Sequence, residues 1–121
     1  METRKKILLV DDEEAILRFL SIKLKISGYD VVTTPVGREA LELAKTESPD
    51  VMLLDIRLPD IDGFQVLHEL RKFSKLPVIA YSATPKYKER ALESGAELFM
   101  AKPFDTEQLV EKIHQLSNHR R

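Results

Sequence analysis

Four runs of four apolar residues recur along the chain, at 7–10 (ILLV), 51–54 (VMLL), 78–81 (VIAY) and 98–101 (LFMA). Each is closed by a polar residue: Asp11, Asp55, Ser82 and Lys102. Runs this short and this uniformly apolar read as strands buried on both faces. A fifth segment, 30–34 (DVVTT), is β-branched and reads as a more polar strand. Between the runs lie longer segments with helical spacing. Residues 14–27 place Ile16, Leu20 and Leu24 on one face and stop at Gly28. Residues 37–46 turn Ala40, Leu41 and Ala44 inward, and 64–73 carry a stripe of Val66, Leu67, Leu70 and Phe73. Thr84 is placed to cap a short fourth helix with Pro85 at its first position, ending near Gly95. Asp105 is placed to cap the last helix, with Gln108 in capping-box spacing and Leu109, Ile113 and Leu116 facing inward.

The pattern is strand then helix, five times over. It predicts an α/β fold with a parallel sheet covered by helices on both faces, a three-layer sandwich. The first, third and fourth strands are the most apolar and belong at the centre. The second, with Asp30 and two threonines, suits an edge. Right-handed crossovers then favour the strand order 2-1-3-4-5, the order already known for the flavodoxin-like fold. The chain's 121 residues are expected to make one domain, with a core from about residue 5 to about residue 116 and no output domain within them, either as a protein that works alone or as one cut from a longer chain at residues 117–121.

In an open parallel sheet, ligands bind beyond the carboxyl ends of the strands. The first strand delivers Asp11 and Asp12 there, with Glu13 behind; the third delivers Asp55, the fourth Ser82 and the fifth Lys102. An acidic pair alone is commonly a helix N-terminus, and a lone Asp, Ser or Lys a solvated loop residue. Their convergence on one edge points instead to a site. Clustered carboxylates repel, and a hard cation relieves them; Mg²⁺ fits because it takes carboxylates and phosphate oxygens together. Asp55 is then a candidate nucleophile toward phosphorus, Lys102 a partner for phosphoryl charge and Ser82 a hydrogen-bond donor to a phosphoryl oxygen. No further carboxylate stands ready as a general base to discharge an acyl phosphate.

At ILLVDDE, VMLLDIRLPDIDG, VIAYSA and GAELFMAKPF the chain resembles the receiver domains of two-component response regulators, the family of the chemotaxis response regulators. The resemblance runs from about Lys5 to Leu116. It implies that Asp55 accepts a phosphoryl group from the phosphohistidine of a sensor histidine kinase or phosphotransfer protein. It implies Mg²⁺ held by Asp11, Asp12, Asp55 and the backbone carbonyl of Arg57, and a cis peptide between Lys102 and Pro103. It further implies a switch in which Ser82 moves toward the phosphoryl group and the aromatic Phe99 turns inward behind it. The readout would be a changed face of the fourth helix, fifth strand and fifth helix. Such a protein is not an enzyme in the turnover sense: it promotes only its own phosphorylation and dephosphorylation. A homodimer or a downstream partner protein would read the signal.

Some features depart from the family pattern. The stretch from Ser82 to Lys102 is slightly short, which places the shortfall in the loop after the fourth strand or in the fourth helix. Arg57 and Thr84 stand two residues past Asp55 and Ser82, where phosphoryl lifetime is tuned, and a long Arg57 side chain there would shield the phosphoryl group from water. Ala83 is small and leaves the site open. Lys86, Tyr87, Lys88 and Arg90 make the fourth helix basic, which reads first as a solvated face. His68, His114 and His119 share no ligand spacing and read as functionally silent surface residues.

Two other functions could use the same residues. A Mg²⁺-dependent aspartyl phosphohydrolase of the haloacid-dehalogenase type needs an Asp two residues after its nucleophile; Glu13 follows Asp11 and Arg57 follows Asp55 at that spacing. A docking module that is never phosphorylated would have no need of the full Asp/Asp/Asp/Ser/Lys set. Composition narrows the rest. With no cysteine there is no disulfide or thiolate chemistry. Lys plus Arg at 19 against Asp plus Glu at 20 gives no basic excess for nucleic acid. The basic clusters Arg4-Lys5-Lys6 and His119-Arg120-Arg121 read as solvated termini. No run is long enough to span a membrane, so the expectation is a cytoplasmic domain.

Overall fold

The computed structural model describes residues 4–119, with the side chain of His119 outside the described set. The terminal cluster of His119, Arg120 and Arg121 therefore lies outside the described side chains. The elements run β1 (Lys6–Val10), α1 (Glu14–Ile26), β2 (Asp30–Thr34), α2 (Gly37–Thr46), β3 (Val51–Asp55), α3 (Gly63–Leu70) and β4 (Val78–Ser82). A 3₁₀ turn (Pro85–Tyr87) leads into α4 (Lys88–Glu93), followed by β5 (Leu98–Ala101) and α5 (Thr106–His119). The strands form one parallel sheet in the order β2-β1-β3-β4-β5, as the apolar pattern required.

Strand alternation splits the core in two. Leu8, Val10, Met52, Leu54, Val78 and Ala80 point to one face and pack with α2, α3 and Ala91 of α4. Ile7, Leu9, Val51, Leu53, Ile79 and Tyr81 point to the other, where Leu20 and Leu24 of α1 and Leu109 and Ile113 of α5 cover them. Burying each of these leucines is worth roughly 1.5–3 kcal/mol. β3 and β4 are buried at every position, whereas β2 is mostly exposed or half-buried, which is what an edge strand with Asp30 and Thr33 allows. Gly28 ends α1 at φ 102°, a left-handed conformation that a side chain would disfavour. Among the described residues no helix is long and apolar enough to cross a membrane.

Two local expectations are corrected. Phe73 does not join the apolar stripe of α3: the helix stops at Leu70, and Phe73 sits in the following turn, 44% exposed, under the Lys45 ammonium at 4.8 Å. Thr84 makes no side-chain cap; its carbonyl accepts from the Tyr87 amide, while its own amide donates to Ser82 Oγ at 3.0 Å. The fourth helix begins as a 3₁₀ turn and has only six α-helical residues. Its basic side chains Lys86, Lys88 and Arg90 are exposed, as read from the sequence, with the Arg90 guanidinium 4.0 Å above Phe64 and Tyr87 meeting that ring edge-on at 5.4 Å. Asp105 does cap α5, accepting from the Glu107 amide at 2.8 Å.

Candidate functional site

Sheet register builds the site before any side chain is considered. Val10 pairs with Leu54, and Asp55 pairs with Tyr81. One step past Val10, Asp11 therefore stands in the same cross-sheet row as Asp55 and Tyr81. Alternation turns this row toward the α1/α5 side. All three are buried at the carboxyl edge: Asp11 at 0%, Asp55 at 4% and Tyr81 at 1% exposed. Asp12, one residue on, is exposed above them.

The carboxylates crowd each other. Asp11, Asp12 and Asp55 each offer an oxygen within 4.8 Å of the others. Lys102, from just past β5, reaches in, with Nζ 3.5 Å from Asp55 Oδ2, 3.7 Å from Asp11 Oδ2 and 3.5 Å from Glu13 Oε1. Burial raises the Asp55 carboxyl to about 6, and the charge of Asp11 adds to this; the Arg57 amide and Lys102 only partly offset it. Burial disfavours the Lys102 charge, yet Asp55, Asp11 and Glu13 outweigh it and raise its pKa. One ammonium thus faces a surplus of acid. Three hard oxygen donors this close, with one held above its ordinary pKa, fit a hard divalent cation.

Asp11 is no helix cap, the plainer reading of an acidic pair. Its Oδ1 accepts from the Glu13 amide at 2.8 Å, while Glu13, at the N-cap of α1, makes no side-chain cap bond. Asp55 Oδ1 accepts from the Arg57 amide at 3.1 Å, so the loop after β3 folds back on the carboxylate. Gly63 closes that loop: a Cβ there would lie 2.7 Å from Ile56 Cα and 3.0 Å from Asp55 O.

Ser82 and Phe99 lie on the opposite sheet face. Ser82 pairs with Ala101 and Ala80 with Phe99, which puts the two on neighbouring strands, two residues apart in register. Ser82 is buried and Phe99 half-buried against the α4 side of the core. The Lys102–Pro103 peptide is cis. Arg57 and Ala83 are exposed at the rim, and His68 and His114 are exposed on helices away from the site, as read from the sequence.

Two contributors escaped the sequence reading. Tyr81 appeared only as an apolar strand residue, yet its hydroxyl donates to Asp11 Oδ2 at 2.7 Å. Asp60, in the loop after β3, accepts from the Gly37 and Arg38 amides at 2.8 and 2.9 Å and caps α2, whose own N-cap is Val36. A polar-tipped aromatic one residue before a strand's functional end was the available signal for Tyr81. Nothing in the sequence signalled Asp60.

Fold and site together define a doubly wound α/β domain with an acidic, lysine-bearing switch point between β1 and β3. The family model "Response regulator receiver domain" matches residues 7–114. The chain belongs to this family, the receiver domains of two-component signalling. It is 43% identical over 115 residues to a probable transcriptional regulator, ycf27, of Guillardia theta, covering 93% of this chain and 45% of that protein. It is 41% identical over 112 residues to the alkaline phosphatase synthesis transcriptional regulatory protein PhoP of Bacillus subtilis, covering 90% and 47%. The chain thus spans about half the length of the curated relatives it matches. Among solved structures, the Francisella response regulator 1452 receiver domain superposes with a TM-score of 0.92 at 32% identity, covering 98% of this chain and 100% of that one.

Proposed function

We propose that this receiver takes a phosphoryl group from a phosphohistidine onto Asp55 and signals while it is held there. The observation that carries this is a buried carboxylate with one ammonium at 3.5 Å and two further carboxylates beside it at the open sheet edge. An Asp55 oxygen forms the new O–P bond as the donor's N–P bond breaks. The N–P electron pair returns to the imidazole, which leaves neutral because its other nitrogen is protonated. Lys102 pairs with the phosphoryl charge, and Ser82 Oγ turns to donate to a phosphoryl oxygen. Asp11, Asp12, Asp55 and the Arg57 carbonyl would hold Mg²⁺, which supplies the charge neutralisation that lets a carboxylate meet a phosphoryl dianion.

The added charge of about −1.5 to −2 draws Ser82 away from the Thr84 amide. Phe99, on the same sheet face, turns into the space released. The face of α4, β5 and α5 changes with it, and a second copy or a downstream protein reads that face. The protein turns over no external substrate. It works in the cytoplasm, where histidine kinases present their phosphohistidine.

The donor covers the site from the α1 side. A groove of about 400 Å³, bordered by Ile16, Phe19, Ala83 and Phe104, shares Lys102 with the site. Phe19, Ile22 and Ile26 extend it as an exposed apolar stripe on α1.

Incubation with Mg²⁺ and acetyl phosphate, followed by intact mass measurement, tests the reading. One added phosphoryl group, absent in Asp55→Asn, is expected. Sustained turnover of phosphoesters would support a hydrolase instead, and no adduct under any condition a docking module.

A further inference from the structure

The row that holds Asp11 and Asp55 also holds Tyr81, which has no part in the chemistry above. The Tyr81 ring is packed edge-on against Phe104, centroids 5.5 Å apart, and the Lys102 ammonium lies 5.0 Å from its centre. Ring and hydroxyl are thereby fixed. The hydroxyl has one acceptor, Asp11 Oδ2, at 2.7 Å. Asp11 is fully buried, and its other oxygen takes the Glu13 amide at 2.8 Å. Each Asp11 oxygen therefore carries a donor, and the carboxylate plane is held from both ends.

We propose that Tyr81 is a positioning residue for the cation site: its hydroxyl holds the Asp11 carboxylate in the orientation that Mg²⁺ needs and keeps Oδ2 from turning to Lys102. This rests on the reading of Asp11, Asp12 and Asp55 as that site. Lys102 Nζ lies only 3.7 Å from the same oxygen. Without the hydroxyl the ammonium is the remaining donor to a buried anionic oxygen, and the carboxylate rotates toward it. The pairing would place a fixed cation on the oxygen that the metal is to take. It would also draw Lys102 from Asp55. Hydrogen-bond partners of metal ligands act in this way, and their loss typically weakens metal affinity roughly 10–100-fold.

The test is Mg²⁺ affinity, read from backbone amide shifts of the whole chain. Tyr81→Phe keeps the ring against Phe104 and removes only the oxygen. It is expected to raise the Mg²⁺ Kd roughly tenfold with the far-UV spectrum unchanged. In an Asp11→Asn background the same substitution is expected to change Kd less than twofold, because its effect passes through that carboxylate. A general packing role would instead give the same loss in both backgrounds. A second readout needs no variant at position 81. With tyrosine labelled at ¹³Cζ, the Tyr81 resonance, assigned by elimination with Tyr29→Phe and Tyr87→Phe, should titrate with Mg²⁺ at the Kd of the amides. Equal Kd for wild type and Tyr81→Phe, equal loss in both backgrounds, or a Tyr81 resonance blind to Mg²⁺ overturns the proposal. A wild-type chain that binds no Mg²⁺ overturns the cation site along with it.

Discussion

Lys102 Nζ stands 3.5 Å from Asp55 Oδ2, yet Asp55 is raised to about 6 rather than depressed. Burial and the neighbouring Asp11 outweigh the ammonium, which is shared with two other carboxylates.

That balance makes the metal-free fold pH-sensitive. Between the ordinary value of 3.8 and about 6, the folded chain binds more protons at Asp55 than the unfolded chain does. Stability attributable to this residue therefore falls as pH rises through that window and stays lower above it. In chelator at pH 7, Asp55→Asn should be more stable than wild type by on the order of 2 kcal/mol, and the gap should close toward about pH 4. Urea unfolding across that range measures it; equal stability at pH 7 rejects the account.

Mg²⁺ should reverse the penalty. At about 100 times Kd, a ligand that binds only the folded state adds about 2.7 kcal/mol. Wild-type Tm should rise on titration with Mg²⁺, and Asp12→Asn should lose most of that rise. A rise of the same size in the variant would remove Asp12 from the site.

Phe19, 56% exposed on the groove rim, distinguishes docking from chemistry. Phe19→Lys should slow transfer from a phosphohistidine protein roughly tenfold or more, in line with loss of an aromatic anchor. Labelling by acetyl phosphate should stay within twofold. Parallel loss with both donors would show damage to the site itself.

Gly63 packs against the backbone of Asp55 and Ile56, at the end of β3. Gly63→Ala sets a Cβ 2.7 Å from Ile56 Cα, and backbone has nowhere to retreat. We expect a loss of about 1–3 kcal/mol in unfolding experiments and slower labelling by acetyl phosphate.

Arg57 is exposed at the rim, and its amide bonds Asp55. If its side chain screens the phosphoryl group from water, Arg57→Ala should shorten the phosphorylated lifetime several-fold. Identical decay, followed by mass, would leave the side chain without that role.

The strands, their order and the functional edge were legible from local pattern. Short apolar runs alternating with amphipathic helices make a parallel sheet, and such a sheet directs whatever ends its strands to one edge, so Asp11, Asp55, Ser82 and Lys102 could be grouped before any contact was known, although the fourth run, β5, is only half-buried at the sheet edge. Phe73 could not be placed that way. Its spacing matches the α3 stripe, but the helix ends three residues earlier. Thr84 has the residue type of a cap, yet its amide goes to Ser82 Oγ instead.

Residue type and order along the chain decided which side chains reach the carboxyl edge, because alternation and crossover handedness are local properties of the backbone. Tertiary structure decided what those side chains meet. Asp60 caps α2 across 23 positions of sequence, and Tyr81 donates to Asp11 across 70. Both bonds depend on register and loop path, which no local propensity encodes. Whether a buried aspartate faces a lysine, a phenol or another aspartate sets its charge, and only the packed sheet brings those neighbours within reach.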